Sequence, residues 1–229
     1  MKIIARIYTD FESKFGLPRQ SQLVPGLCGK IVFEKQYRDR NAVRGLEDYS
    51  HLWIIWHFDG FGSPDGKWSP TVRPPRLGGN ARMGVFATRS PNRPNPIALS
   101  CVKIEKIDLE CADAPVIYVS GIDMQSASEI YDIKPYLPIC DCIPDAKGGF
   151  SDERASHSLE VEISPEVSDG LEADTLDVIK QIVAQDIRPA YQTDGREYNF
   201  DYGRYSIGFT VKDGKANITK ITEIGVNEE

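Results

Sequence analysis

The segment from Gly60 to Pro96 places the strongest constraint on how this chain can fold. Seven of the fifteen prolines in 229 residues fall inside it, together with six glycines. Proline cannot continue an α-helix or pair in the middle of a sheet, because it lacks the backbone N–H that both structures use. The segment is therefore predicted to be a long loop system in which only Met83–Thr88 forms a strand. A loop of that length in a compact domain is typically functional.

Short runs of β-branched and aromatic residues flank this loop system. The run from Ser50 to Phe58 is apolar almost throughout and is predicted to be a strand buried on both faces. Ile97–Ile107 and Val116–Ile122 are predicted to be further strands, whereas the Pro-rich stretch from Asp132 to Pro144 is predicted to be irregular. No alternation of strands and helices accompanies them, which excludes a doubly wound fold and favours a barrel or a sandwich.

The sequence changes character after Gly148-Gly149. The apolar residues of 170–185 recur at helical spacing, which predicts an amphipathic helix. Alternating residues at 205–211 and an Asp-Gly corner after them predict a hairpin. We therefore predict a mainly β domain at 1–147 and a small α+β domain at 148–229.

The net charge of −7 hides an uneven distribution of charged residues along the chain. The stretch from Gly66 to Ile104 carries seven cations and no carboxylate, whereas the residues after Gly148 include 8 basic and 17 acidic side chains. An acidic chain is a poor binder of nucleic acid as a whole, but arginine side chains match the geometry of phosphate. The cationic stretch is therefore predicted to face phosphate or another polyanion, with a solvated loop as the alternative.

Several common catalytic and cofactor-binding motifs are absent from the sequence. It contains no GxxxxGK[ST] phosphate loop and no GxSxG elbow, and Gly66 lies one residue too far from Gly60-Phe61-Gly62 for a dinucleotide fingerprint. The three histidines have no metal-binding spacing and Cys140-Asp141-Cys142 is an isolated pair, so no metal is expected. Five cysteines without paired spacing, no membrane-length apolar run and no signal peptide predict a cytoplasmic protein with reduced thiols.

Four runs of residues resemble the TsaA/TrmO (YaeB-like) family of tRNA adenosine methyltransferases. They are AVRGLEDYSHLWI at 42–54, TVRPPRLGGNARMGVFATRSPNRPNPI at 71–97, DIKPYLP at 132–138 and AQDIRPAY at 184–191. The resemblance implies a closed β-barrel, S-adenosylmethionine (SAM) as the methyl donor, a homodimer with the SAM site near its interface, and a smaller C-terminal domain that helps to hold tRNA. The implied reaction is methyl transfer to the exocyclic nitrogen of threonylcarbamoyladenosine at position 37, next to the anticodon of a threonine tRNA.

The resemblance also assigns residues to the cofactor. Leu99 and Ile122 are expected to read the adenine edge through their backbone groups, and Asp123 to lie near the amino-acid or ribose part. The set expected around SAM is Gln20, Arg89, Leu99, Ser120, Gly121, Ile122 and Asp123.

Methyl transfer from SAM requires in-line attack and the loss of one proton, because the methyl donor already carries a good leaving group. Asp132 is the first candidate for the base or orienting acceptor and Tyr136 is the second. Lys134 is expected to pair with the carboxylate of the threonyl group. The residues expected to hold tRNA are Arg73, Arg76, Arg82, Asn92, Arg93, Asn95 and Arg188.

Two other functions are compatible with the same residues. A non-catalytic RNA-binding module would use the cationic loop without any cofactor. A SAM-dependent methyltransferase acting on a small anionic metabolite would use the cofactor without tRNA. SAM binding and tRNA methylation together distinguish the three possibilities.

Overall fold

The computed structural model describes residues 1–61, 67–74, 81–154, 158–188 and 194–224. The strands are β1 Ala5–Thr9, β2 Cys28–Phe33, β3 His51–His57, β4 Thr71–Val72, β5 Met83–Gly84, β6 Ile97–Asp108, β7 Val116–Ser120, β8 Ser128–Pro135, β9 Glu160–Ile163, β10 Glu197–Tyr202, β11 Tyr205–Lys212 and β12 Lys215–Glu223. The α-helices are α1 Pro138–Asp141, α2 Pro165–Ser168 and α3 Ala173–Ala184. None of the helices described is long and apolar enough to cross a lipid bilayer.

Strands β1, β2, β7, β6, β3 and β8 close in that order into a barrel, and each neighbouring pair is antiparallel. Closure pairs every strand on both sides and leaves no open sheet edge. The predicted fold class, a closed β-barrel with a small α+β part, is confirmed.

Strand β3 is buried on one face only, which corrects the prediction that both of its faces are buried. Leu52, Ile54 and Trp56 point into the barrel core, whereas Trp53 and Ile55 are half-buried on the outer face. In a closed barrel only alternate residues of a strand face the interior. The apolar character of the other residues therefore reflects an apolar outer surface.

The segment after Ile130 is more regular than its prolines indicate. Strand β8 continues to Pro135, and Asp132 pairs with Ile55 of β3. Asp132 and Lys134 therefore lie on a strand and not in an irregular loop, because pairing with a long neighbouring strand outweighs local propensity. The predicted strand at Met83–Thr88 is also shorter: it ends at Gly84, pairs with β4, and continues as a 3₁₀ turn.

The C-terminal residues form a four-stranded sheet in the order β10-β11-β12-β9, against which α3 packs. The helix and the β11–β12 hairpin were predicted from periodicity. Strand β10 was not, because Glu197–Tyr202 buries only Tyr198 and Phe200 between exposed polar residues.

The barrel and the C-terminal sheet share one apolar core. Phe11 is fully buried and its ring centroid lies 5.4 Å from that of Tyr202. Gly16 has a φ of +101° and a Cβ there would lie 2.8 Å from the Phe200 ring. Arg19 donates hydrogen bonds to the carbonyls of Asp186 and Arg188 at 3.1 and 3.3 Å. These contacts fix the loop after β1 beside the barrel wall, where the candidate site lies.

Candidate functional site

A cavity of about 760 Å³ opens beside the barrel between the loop after β1, the end of β3 and the start of β6. We call it the Asp123 cavity, because the Asp123 carboxylate is among its lining groups. Its apolar wall includes Trp56, Phe58 and Phe61, whose successive ring centroids are 4.5 and 6.1 Å apart. A cavity of this size, mostly apolar with a few convergent polar groups, is typical of a site for a small molecule or cofactor.

A chain of hydrogen bonds that begins in the barrel core orients Asp123. Trp56 Nε1 donates to Ser100 Oγ at 2.9 Å, and Ser100 Oγ donates to Asp123 Oδ1 at 2.6 Å. Trp56 and Ser100 are both buried. Their polar atoms therefore have fixed partners, and the carboxylate is held in one orientation.

The electrostatic surroundings of Asp123 act in opposite directions. Burial raises the pKa of its carboxyl to about 6, while hydrogen bonds from Ser100 and the Ser21 backbone and the positive charge of Arg89 act to lower it. At neutral pH the carboxylate is therefore mainly ionised. The cavity presents a fixed negative charge that suits an ammonium group or the hydroxyls of a ribose.

The loops at the mouth of the cavity are tied together by polar contacts. Arg89 donates a hydrogen bond to Gln20 Oε1, and Gln20 Nε2 donates to the carbonyl of Arg19 at 2.5 Å. Arg93 donates to the carbonyls of Thr88 and Ser90 at 3.0 and 3.3 Å. These contacts place an arginine at the mouth of a cavity that also contains a carboxylate, so the site offers partners for both charges of a zwitterion.

The structure brings together part of the set expected around SAM. Four of these residues line the Asp123 cavity: Gln20, Arg89, Leu99 and Asp123. The other three lie behind it. Ser120 Oγ donates to Glu105 at 2.5 Å, Gly121 N donates to the carbonyl of Leu27 at 2.8 Å, and the Ile122 side chain is buried.

The turn formed by these three residues positions Asp123 and does not line the cavity itself. The N–H of Ile122 faces the carbonyl of Leu27 at 3.4 Å, and the expected role of the Ile122 backbone in reading adenine stays a prediction. Gly121 has a φ of +74°, and a Cβ there would lie 2.6 Å from Gln22 Nε2. Glycine is therefore required where the chain turns towards Asp123.

Sequence reasoning did not find Trp56, Ser100, Phe58 and Phe61 as parts of the site. The signal for Ser100 was a small polar residue at an inward-facing position of a strand, between Ala98 and Val102. A buried hydroxyl requires a partner, and the register Ile54↔Ser100 that places it near Trp56 appears only in the folded barrel.

Asp132, Lys134 and Tyr136 lie together on the outer face of the barrel and are not among the described residues that line the cavity. Lys134 Nζ lies 3.0 Å from Asp132 Oδ2, and the Tyr136 and Trp53 ring centroids are 5.8 Å apart. Ile55 pairs with Asp132 on one side and with Leu99 on the other. Asp132 is therefore two strand spacings, about 10 Å, from Leu99 at the cavity wall.

A larger cavity of about 1480 Å³ adjoins the first. The described residues that line both cavities are Arg19, Gln20, Thr88, Arg89, Pro91 and Arg93. We call the larger one the basic cavity. Its described lining residues include Arg73 and Asn92 from the set expected to hold tRNA, and none of them carries a carboxylate.

The remaining residues expected to hold tRNA are distributed around the two cavities. Asn95 lines the Asp123 cavity, whereas Arg82 is exposed immediately before β5 and donates to Thr71 Oγ1 of β4 at 3.3 Å. Arg76 lies outside the described residues.

Arg188 does not lie on a free cationic surface. Its side chain is 14% exposed and lies 2.7 Å from Asp186 and 3.2 Å from Asp194. The hydrogen bonds that its guanidinium donates to Asp186 raise its pKa, and both carboxylates compensate its charge. The structure therefore does not support a tRNA contact by Arg188 and gives it a structural role in the C-terminal part.

His57, Asp59 and Glu129 bring ligand-type atoms within 4.8 Å of one another, a grouping that sequence spacing did not indicate. His57 Nδ1 lies 3.2 Å from Asp59 Oδ1. Glu129, however, accepts a hydrogen bond from Arg6 at 3.0 Å. A guanidinium at that distance weakens the grouping as a metal site.

The barrel carries a cofactor-sized cavity that adjoins a cavity lined by arginines, an arrangement suited to the class of proteins that bind a small molecule next to a polyanion. Comparison with known families agrees with this class. The model of the tRNA-methyltransferase O N-terminal domain matches residues 6–142, and that of the TrmO C-terminal domain matches residues 156–224. The chain belongs to the TrmO family of tRNA methyltransferases.

Individual relatives support the same family. The tRNA (adenine(37)-N6)-methyltransferase of Escherichia coli strain K12 is 39% identical over 217 residues, which cover 91% of this chain and 90% of that protein. A relative from Pseudomonas aeruginosa, named for SAM-dependent methyl transfer, is 37% identical over 204 residues and 85% of each chain. A crystal structure of TrmO from Pseudomonas aeruginosa superposes with a TM-score of 0.75 at 28% identity over 96% of each chain. The family and enzyme class predicted from the sequence are confirmed.

Proposed function

We propose that this protein transfers a methyl group from SAM to the exocyclic nitrogen of adenine 37 in a tRNA that carries the threonylcarbamoyl group, a threonine tRNA being the expected substrate. The observation that carries the proposal is that the Asp123 cavity and the basic cavity adjoin and share three arginines, Arg19, Arg89 and Arg93. A methyl donor in the first cavity would then lie next to a polyanion held in the second.

The residues of the Asp123 cavity suit SAM. The aromatic wall suits the adenine ring, Asp123 suits the ammonium group or the ribose hydroxyls, and Arg89 suits the carboxylate. When bound there, SAM supplies a reactive methyl group on a good leaving group. The protein must then hold the two reactants in line and accept one proton.

The anion-binding residues of the basic cavity suit the anticodon loop of a tRNA. Arg73, Arg93 and Asn92 lie on its wall, and rigid prolines lie between them in the sequence. Guanidinium groups bind phosphate through two parallel hydrogen bonds, and proline lowers the conformational entropy that a loop loses on binding. Arg82 and Asn95 extend this surface on either side.

The ion pair between Asp132 and Lys134 provides a reason for dependence on the threonylcarbamoyl group. A carboxylate on the substrate would compete with Asp132 for Lys134 Nζ. Asp132 would then be available to accept the proton that leaves the exocyclic nitrogen, with Tyr136 beside it. Unmodified adenosine carries no such carboxylate and would leave the ion pair in place.

The outer face that carries these residues suits a homodimer. Ile139 is 95% exposed and Ile143 is 68% exposed, and Leu99 is exposed on the same side of the barrel. A second copy of the chain covering this face would bury these side chains and bring one protomer's Asp132 towards its partner's cavity. This arrangement would remove the 10 Å gap that separates Asp132 from the cavity wall within one chain.

Replacing both Ile139 and Ile143 by Asp is expected to convert a dimer into a monomer, because two carboxylates would have to be buried in the interface. Methyl transfer should fall at least about 10-fold, since the interface anchors contribute over about 1.4 kcal/mol. Sedimentation velocity and circular dichroism measure mass and fold. Ile224→Asp, at an exposed isoleucine of the C-terminal part, is the control. A monomeric wild type, or a fully active monomeric variant, would contradict this assignment.

Labelled SAM and two forms of the same tRNA test the proposed function against its two alternatives. We expect SAM to bind in calorimetry and its methyl group to appear in tRNA that carries the threonylcarbamoyl group, far more slowly in unmodified tRNA. A non-catalytic RNA-binding module would bind tRNA without SAM. A methyltransferase of small anionic metabolites would bind SAM and leave both tRNAs unlabelled.

A tRNA substrate and the thiols also support the expected cytoplasmic location. All five cysteines are free of disulfides. Thiols in this state are usual in a reducing compartment.

A further inference from the structure

Two large aromatic side chains stand exposed on the wall of the basic cavity. Trp68 is 48% exposed and Phe86 is 72% exposed. Their ring centroids lie 5.7 Å apart and the rings are inclined by 36°. Two exposed rings in contact leave apolar surface in water that a ligand would cover, which is typical of a binding surface.

The backbone around these rings holds them in place. Trp68 precedes β4 and Phe86 follows β5, and the two short strands pair through Thr71↔Gly84 and Val72↔Met83. Val85, next to Phe86, is buried and its N–H donates to the carbonyl of Pro70 at 2.9 Å. The rings are therefore presented by a paired structure, which reduces the entropy lost when a ligand stacks on them.

The charge around the rings is of one sign. The described lining of the basic cavity includes Arg73, Arg89 and Arg93 and no carboxylate. The Arg93 guanidinium carbon lies 6.0 Å from the centre of the Phe86 ring. Aromatic faces beside a groove of cations are the combination with which proteins bind single-stranded nucleic acid, because bases stack on the rings while phosphates meet the cations.

We propose that Trp68 and Phe86 form a stacking platform for an unpaired base of an RNA loop, whose phosphates are held by Arg73 and Arg93. This inference rests on the proposed function and adds to it the side chains that recognise a nucleotide other than the one that is methylated. A paired stem offers no free base face, so the platform selects loops over duplexes. Stacking is tolerant of base identity, and the platform therefore contributes affinity and position more than sequence selection.

Binding of a fluorescent RNA hairpin with an unmodified anticodon loop tests the platform without any methyl transfer. Trp68→Leu and Phe86→Leu are each expected to weaken binding roughly 5- to 150-fold, the range measured for loss of one stacked base. The slope of log affinity against log salt should stay unchanged, because no charge is removed. Arg73→Ala should instead lower that slope by about one. Trp68→Phe keeps an aromatic face and should retain most of the affinity.

Tyr118→Leu is the matched control. Tyr118 is also exposed and has a cation, Lys106 Nζ, 5.7 Å from its ring centre, but it lies on β7 and does not line the basic cavity. This variant should bind the hairpin as the wild type does. A duplex of the same stem without the loop should bind Trp68→Leu, Phe86→Leu and Tyr118→Leu as it binds the wild type, because these variants keep every cation.

Three results would overturn the inference. Wild-type affinity in both Trp68→Leu and Phe86→Leu refutes the platform, while methyl transfer to tRNA by the wild type would show that the proposed function still holds. An equal loss of affinity for hairpin and duplex would show that the rings do not stack on unpaired bases. A wild-type protein that binds no hairpin at low salt would contradict both the platform and tRNA as substrate. SAM calorimetry on each variant verifies that the Asp123 cavity is intact.

Discussion

Replacing Asp132 by Asn is expected to slow methyl transfer to modified tRNA about 100- to 10,000-fold, the usual contribution of a positioned general base. Asparagine has nearly the same shape but cannot take up a proton at neutral pH. Asp132 is proposed to act on the tRNA and is not among the described residues that line the Asp123 cavity of its own chain, so the affinity for SAM should not change. Single-turnover transfer of labelled methyl, with enzyme in excess over tRNA, measures the step directly.

The Lys106–Asp108 pair provides a control for this variant. Asp108 Oδ2 lies 3.2 Å from Lys106 Nζ, two residues apart on β6, as Asp132 and Lys134 are on β8. Asp108→Asn should transfer methyl at the wild-type rate. Lys134→Ala should mainly raise the KM for tRNA with the threonylcarbamoyl group. Wild-type behaviour of both Asp132→Asn and Lys134→Ala would exclude these two residues from the reaction.

Asp123→Asn should weaken SAM binding by roughly 10- to 150-fold, because a hydrogen bond to a charged partner contributes about 1.5–3 kcal/mol. The same substitution should stabilise the fold at about pH 8, where the carboxylate is ionised and burial penalises its charge. The difference between a pKa of about 6 in the folded protein and its ordinary value of 3.8 corresponds to at most about 3 kcal/mol. We expect an increase of about 1–3 kcal/mol in the free energy of unfolding, measured by urea titration.

The pH dependence of this stabilisation has a defined sign. The folded protein binds a proton at Asp123 more readily than the unfolded chain does, because the pKa is raised. The contribution of Asp123 to stability therefore falls as pH rises from about 4 to about 6, and the penalty is constant above that range. The advantage of Asp123→Asn over the wild type should accordingly shrink as pH falls from about 6 to about 4. An Asn variant less stable than the wild type at about pH 8 would contradict the burial of an ionised carboxylate.

The ionisation of Asp123 should have the opposite effect on SAM affinity: it lowers the stability of the fold but strengthens SAM binding. Binding weakens as pH falls through about 6, because the carboxylate loses its charge. Ser100→Ala removes the donor to Oδ1 and should move the midpoint to higher pH, since Ser100 favours the ionised form. A midpoint that does not move would show that Ser100 does not act through Asp123.

The barrel strands could be predicted where apolar and polar residues alternate clearly along the sequence. They could not be predicted where hydrogen bonding to a neighbouring strand determines the extent of the strand. Ile97–Ile107 was predicted and is part of β6, Ile97–Asp108. Strand β8, Ser128–Pro135, was not predicted. The residues from Asp132 onwards were predicted to be irregular because of their prolines, whereas pairing with β3 extends the strand to Pro135. Barrel closure likewise determines which face of β3 is buried. The residues of β3 alone do not show whether its sheet closes.

The residues that loops contribute to the candidate site could be predicted from the sequence. The residues that the barrel core contributes could not. Gln20 and Arg89 belong to polar, Pro-flanked loop motifs that the family resemblance assigns to the cofactor, and the structure hydrogen-bonds them to each other. The Trp56–Ser100–Asp123 chain joins residues from three separate segments, and its members become neighbours only through the barrel register. The sequence also could not show whether Arg188 is available to bind an anion. It counts as a cation in the sequence, but two carboxylates compensate its charge in the fold.

Mass spectrometry of nucleosides from the methylated tRNA tests the central claim most directly. After reaction with SAM, we expect threonylcarbamoyladenosine from position 37 to be one methyl group heavier, with the methyl on the exocyclic nitrogen. The other adenosines of the same tRNA should be unchanged. A methyl group at any other nucleoside, or equal methylation of a tRNA that lacks the threonylcarbamoyl group, would contradict the account.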